Sequence, residues 1–119
     1  MTVIIPYKFP SLNEYINQCR NNRYAAAAIK KRIQDDIKLC LMPLMPFTNP
    51  IKIRFIWHEA SRRRDLDNIA FGKKFILDAM VSLGILKNDS IRYVVGFQDE
   101  AADSDFYYCE MIITEVKKK

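Results

Sequence analysis

The chain has 119 residues and a formal net charge of +5, and half of its residues are apolar. That length suits one domain of ordinary size, and the apolar and aromatic content excludes wholesale disorder. With three glycines and five prolines there is little linker, and the small positive surplus fits a polyanionic partner or simply keeps the protein in solution.

Val3 to Ile5 reads as a short strand, stopped by Pro6 and Pro10. Ser11-Leu-Asn-Glu14 matches a capping box and should open a helix. The helix pauses at Asn21-Asn22 and resumes at Tyr24, after which Ala26, Ile29, Ile33, Ile37 and Cys40 recur at helical spacing as one buried face. Pro43 and Pro46 end it. Ile51, Ile53, Phe55 and Trp57 alternate along a strand that runs to His58 with one face on the core. A second helix should start after Asn68 and run to about Leu83, with Ile69, Gly72, Ile76, Ala79 or Met80, and Leu83 as its apolar stripe and Gly84 as its C′ residue.

Residues 87–90 form a turn, Ile91 to Phe97 a third strand, Asp99 to Asp105 a polar connection, and Phe106 to Glu115 the last strand before a lysine tail. The order is βαβαββ: a single α+β domain over residues 1–119, with a mixed four-stranded sheet, helices on one face, and strands 3 and 4 as a hairpin.

Cys19, Cys40 and Cys109 are odd in number and far apart, with no CxxC spacing, and His58 is the sole histidine. This offers no zinc set and no Ser/His/Asp arrangement, and points to a reducing, cytoplasmic compartment. The N-terminus lacks the apolar core of a signal peptide, and no run approaches the ~18 apolar residues of a membrane span. There is no glycine-rich phosphate loop, no small organic cofactor is expected, and without a long apolar run no membrane partner is expected.

The densest chemistry lies between the second strand and the second helix, in Arg62-Arg63-Arg64-Asp65-Leu66-Asp67-Asn68. Arginine grips phosphate oxygens through a rigid fork of donors. Two carboxylates one residue apart can hold Mg²⁺, which takes oxygen ligands and keeps several waters. A helix start adds free backbone N–H groups that favour anions. Together these suggest a phosphodiester gripped by arginine and cut by metal-activated water.

Each residue also has a plain structural use. Asp65 can be a helix N-cap and Asp67 a first-turn acid, with the arginines as their ion-pair partners. Asp89 can be an ordinary turn residue. It can join Asp65 and Asp67 only if the chain folds back, because a helix of about 16 residues spans about 24 Å, or if a second subunit supplies it. Lys73 and Lys74 are either solvated or placed to stabilise charge at a scissile phosphate. Lys30, Lys31, Arg32 and the 21–24 segment around Arg23 extend a nucleic-acid footprint or form a solvated helix face. The acids Asp99, Glu100, Asp103 and Asp105 read as a solvated hairpin loop, and His58 as a strand end near the motif.

The stretch from Arg62 to Asn68, followed by Lys73-Lys74-Phe-Ile-Leu-Asp78-Ala79, Leu83-Gly84-Ile85-Leu86 and Asn88-Asp89, resembles the RusA family of Holliday junction resolvases of bacteria and their phages. The likeness is strongest from Arg62 to Asp89 and collinear elsewhere. It implies that Asp65, Asp67 and Asp89 are catalytic metal ligands for Mg²⁺ and that Lys74 is the catalytic lysine. The register needs three extra residues within 69–72, which leaves Lys73 as an alternative. Asn88 replaces the first acid of the family's Asp-Asp turn. Arg62, Arg63, Arg64, Asn68, Lys73 and Arg23 become candidate DNA contacts. The implied protein is a homodimeric, Mg²⁺-dependent endonuclease that resolves four-way junction DNA by paired nicks in recombination and repair. A non-catalytic nucleic-acid-binding module, or a nuclease of the same fold acting on flaps or forks, are the alternatives.

Overall fold

A computed structural model describes residues 1–117, apart from the side chains of Asn21 and Arg23. The lysine tail beyond residue 117 and the Arg23 side chain, a candidate DNA contact, lie outside the described residues. The elements are β1 (Thr2–Ile5), α1 (Leu12–Asn21), α2 (Arg23–Leu41), β2 (Ile51–Glu59), α3 (Leu66–Ala70), α4 (Lys73–Ser82), β3 (Val94–Asp103) and β4 (Tyr108–Glu115). They form an α+β fold with one mixed four-stranded sheet in the order β1-β4-β2-β3.

Local signals set several boundaries. Ser11 Oγ accepts from Glu14 N at 3.2 Å, and Glu14 Oε1 accepts from Ser11 N at 3.4 Å, completing the capping box. Asn22 ends α1 and caps α2 by accepting from Tyr24 N. At the end of α4, Gly84 takes φ +77°, and Gly84 N and Ile85 N donate to the carbonyls of Val81 and Met80. That double closure is a Schellman cap, which needs a residue at ease in the left-handed region.

The alternating side chains of β2 divide the sheet's faces. Ile51, Ile53, Phe55 and Trp57 are buried, while Lys52 and Arg54 lie on the open face. β4 supplies Cys109, Met111 and Ile113 to the core, α2 supplies Ile33, Ile37 and Leu41, and α4 supplies Phe75, Ile76 and Met80. Leu41 is buried where the sequence pattern put Cys40, which is half-buried. One turn of helix separates Ile37 from Leu41, so the buried stripe stays on one side.

Two expectations about the C-terminal half are corrected. The third strand begins at Val94, not Ile91, and continues through the acids to Asp103. Ile91 is 88% exposed in the preceding turn. Strands 3 and 4 are not a hairpin: β3 pairs parallel to β2 at the sheet edge, and β4 inserts antiparallel between β1 and β2. The acids persist within a strand because each finds a donor. Trp57 Nε1 and Lys73 Nζ donate to Asp99, Arg54 to Glu100 and Arg62 to Asp103. An edge accepts such a polar strand, whereas the apolar alternation of β4 earns it two neighbours.

The expected single helix after the motif is also broken. α3 ends at Ala70, and i→i−3 bonds from Gly72 to Ile69, Lys74 to Phe71 and Phe75 to Gly72 carry the chain into α4. Tight turns of this kind join helical segments that change direction. Gly72 lies against the core: a Cβ there would stand 3.0 Å from Phe9 Cβ and 3.2 Å from Trp57 Cζ3. Gly72→Ala should therefore destabilise the fold by roughly 1–3 kcal/mol through overpacking. Urea unfolding would show this as a lower midpoint with unchanged slope.

Cys109 is fully buried on β4, and burial pushes its thiol pKa far above the usual value. The folded chain thus keeps a proton that the unfolded chain releases above pH ~8.5, so stability should fall with rising pH in that alkaline range. Cys109→Ala should flatten the slope of stability between about pH 9 and 10 by up to ~1.4 kcal/mol per unit, read from urea midpoints at each pH.

Candidate functional site

The Arg62–Asn68 motif leaves the end of β2 and enters α3, as its position between strand and helix implies. Its three arginines part company there. Arg64 Nε and Nη2 each donate to Glu59 at 2.8 Å, and Nη1 donates to the Phe9 carbonyl at 2.7 Å. The side chains of Arg64 and Glu59 are only 15% and 9% exposed. The Glu59 hydrogen bonds raise the Arg64 pKa further despite partial burial. Arg64, expected as a DNA contact, is thus committed to tying the end of β2 to the β1–α1 connection.

Arg62 forms a two-pronged pair with Asp103 at the end of β3, with contacts of 3.1 and 2.6 Å, on the open surface. Arg63 is exposed and makes no ion pair among the described residues. It is the one arginine of the three with its fork free for an anion.

Asp65 and Asp67 are both exposed. Asp65 occupies the N-cap position of α3 in an extended conformation, yet its side chain makes no capping bond. Asp67 Oδ1 accepts only from the neighbouring Asn68 N, at 3.0 Å. Among the described residues neither carboxylate pairs with an arginine or lysine. The cations beside them in sequence have gone to Glu59 and Asp103 instead. Asp65 is thus the N-cap residue by position and Asp67 the first-turn acid, but the Asp65 side chain is used neither in a capping bond nor in an arginine pair.

Lys74 and Asp89 do meet. Lys74 Nζ donates to Asp89 Oδ2 at 3.2 Å and stands 3.3 Å from Asp78 Oδ1 one turn along α4. The chain achieves this by folding back: the Schellman cap reverses it at Gly84, and residues 84–89 return along α4 toward its start. The Asp89 hydrogen bond raises the Lys74 pKa, partial burial opposes it, and Asp78 adds to the rise. Lys74 therefore stays an ammonium at neutral pH, suited to stabilising anionic charge and unsuited to acting as a base.

Two acids hold these lysines: Asp78, given no role in the sequence reading, and Asp99, which that reading placed in a solvated hairpin loop but which lies in β3. Asp78 sits between Lys74 and Lys30, whose Nζ is 3.0 Å from its Oδ2 without the angle of a hydrogen bond. The i,i+4 spacing of Lys74 and Asp78 was a legible signal. Asp99 holds Lys73 while accepting from Trp57 Nε1 at 3.0 Å, and the Lys73 ammonium also lies 4.8 Å from the Phe97 ring centre. That pairing joins β3 to α4 and had no local signal. It leaves Lys73, expected as a DNA contact and as the alternative to Lys74, partly buried in an internal pair.

Asp65, Asp67 and Asp89 are not assembled into one set. No three His, Cys, Asp or Glu side chains among the described residues converge enough to hold a metal ion, and Asp89 is engaged by Lys74. The expected three-carboxylate ligand set thus does not fit a single chain as it is arranged. Asp65 and Asp67 retain the donor type and exposure for a hard cation shared with a substrate phosphate, since Mg²⁺ commonly takes only one or two protein carboxylates. No helix among the described residues is long and apolar enough to cross a membrane.

Comparison with known proteins adds no relationship: no family model matches the chain, and a search of curated proteins finds no match.

The two arginine pairs should differ sharply in worth. Arg64→Ala leaves Glu59 buried without its partner, which should cost about 3 kcal/mol or more. Arg62→Ala removes an exposed, solvent-screened pair and should cost less than about 1 kcal/mol. Equilibrium urea unfolding of the two variants tests that order.

Proposed function

We propose that this chain is a RusA-like, Mg²⁺-dependent endonuclease that acts as a homodimer on four-way junction DNA, nicking two opposed strands. The observation that carries the reading is the state of Asp65: a carboxylate at a helix start, beside three arginines, engaged neither as a cap nor in an ion pair. Among the described residues, an exposed Asp65 without a side-chain partner and an exposed Asp67 that accepts only from Asn68 N, next to the unpaired fork of Arg63, suit a site that takes a cation and a phosphate.

Within this reading each residue has a distinct part. Asp65 and Asp67 would hold Mg²⁺, which when bound would supply an activated water and neutralise charge on the phosphate. Arg63 would position the backbone through paired N–H donors. Lys74, held as an ammonium by Asp89 and Asp78, would stabilise charge developing on the phosphoryl oxygens. Asp89 acts through Lys74, or as a ligand offered to the site of a second subunit. Arg64 acts by holding the loop that presents Asp65. A C₂ dimer presents two equivalent sites to a junction that itself has two-fold symmetry, which suits paired nicks. The resemblance in sequence, from Arg62 to Asp89, is what narrows the substrate to branched DNA and the process to recombination and repair.

A second reading, a nucleic-acid-binding module without catalysis, draws on the absence of an assembled three-acid set among the described residues. A labelled four-way junction, incubated with and without Mg²⁺ beside a fork, a flap and a linear duplex, separates the readings. Symmetric, metal-dependent nicks in the junction alone are expected. Cutting of forks or flaps instead would mark a nuclease of different substrate, and tight binding with no cut in Mg²⁺ or Mn²⁺ would leave the binding module.

Asp65→Asn should lower cleavage about a hundredfold or more, because stabilisation of transition-state charge by a metal is worth several kcal/mol. Junction binding should be kept or strengthened, since a carboxylate facing phosphate is removed. Gel shift and nicking assays on the same preparation check both halves.

A further inference from the structure

We propose that the loop between β3 and β4, with Phe106 at its tip, is a stacking platform for an unstacked nucleobase, such as one exposed at a branch point. The inference rests on the proposed action on branched DNA and names the feature of that DNA which the chain would recognise.

The loop sits at the same end of the sheet as the arginine–aspartate motif. Residues 104–107 must step across β2, because β3 and β4 flank it. Ser104 N donates to the Glu59 carbonyl at 3.0 Å as the chain passes. Arg62 grips Asp103 just before the loop. Arg64 lies 5.6 Å from the Tyr107 ring centre and Lys8 Nζ 4.3 Å from it, so Tyr107 is held by two cations. Tyr108 then stacks on His58, with ring centres 3.9 Å apart and planes 9° from parallel. Inside the loop, Phe106 N donates to Ser104 Oγ at 3.4 Å.

The backbone is thus tied down on both sides of a side chain that is 73% exposed. A single exposed phenylalanine is commonplace on protein surfaces. This one differs in its setting. It is adjacent to a cation-held tyrosine, and it shares its end of the sheet with Arg63 and Lys8, exposed cations that make no ion pair among the described residues. An exposed aromatic in a tethered loop, flanked by cations that make no ion pair, is the combination that binds single-stranded nucleic acid: cations follow the backbone, and rings stack on bases of any sequence. The exposed Asp105 beside Phe106 disfavours a phosphate at the tip itself, which leaves the tip to a base and the backbone to Lys8 and Arg63. A linear duplex hides its base faces, so the platform gains nothing from it. A branch point, where stacking is interrupted, offers a face to the ring.

The test is fluorescence anisotropy with the full chain, in EDTA so that nothing is cut, against a labelled four-way junction, an oligothymidine single strand and a linear duplex. Phe106→Ala should weaken junction and single-strand binding about tenfold and change duplex binding by less than about twofold, and Phe106→Trp should restore the loss. Because the side chain is exposed, circular dichroism and the melting temperature should match the parent. Parent-like binding of all three by Phe106→Ala would overturn the platform and leave the proposed function standing. An equal loss on the duplex would also overturn it, since a base face is then not what the ring reads. A parent chain that binds none of the three would overturn the platform and the junction reading together.

Discussion

The structure depends on the buried pair between Arg64 and Glu59. Glu59 is the last residue of β2 and points to the core side, where an isolated carboxylate would be untenable. Arg64 closes its fork on it and adds a bond to the Phe9 carbonyl. Three segments therefore meet at one guanidinium: the end of the central strand, the motif loop and the connection that leads from β1 to α1. Breaking the pair leaves a largely buried carboxylate without its counter-charge and frees the loop from the end of β2.

That choice determines what is left over. With Arg64 turned inward and Arg62 turned to Asp103, Asp65 and Asp67 face solvent without a cationic partner among the described residues. The same economy runs through the rest of the site. Two lysines at the first turn of α4 oppose the helix dipole, and each is balanced by an acid from elsewhere, Lys73 by Asp99 of β3 and Lys74 by Asp89 of the returning segment, with Asp78 of α4 itself also beside Lys74. The acids that look like a solvated loop in the sequence are the counter-charges that hold the cations of β2, the motif and α4 in place.

Much of this was legible beforehand wherever the signal is local. The capping box at Ser11, the break at Asn22, the alternation of β2 and the glycine cap at Gly84 all follow from neighbours within a few residues. The mixed four-stranded sheet also followed, because apolar periodicity states which side of β2 and α2 is buried; the alternation read from Ile91 to Phe97 did not mark a buried face, since Val95 and Phe97 are exposed. The β3–β4 hairpin was read from adjacency in sequence, and failed because pairing is decided by competition. The more apolar β4 takes the central place, and the acidic β3 is confined to the edge. The break between Ala70 and Lys73 was missed, and the close packing of Gly72 against Phe9 and Trp57 is set by distant segments.

The sequence by itself determined β1, α1, α2 and β2, the buried faces of α2 and β2, and the concentration of charge at one strand-to-helix junction, since these depend on rotamer, capping and periodicity over short range. The tertiary structure alone decided which charge meets which. Ion pairs such as Arg64 with Glu59, Lys73 with Asp99 and Lys74 with Asp89 depend on desolvation and on where strands settle in the sheet. No spacing along the chain encodes that, because the energy of a pair depends on burial, and burial is a property of the whole fold.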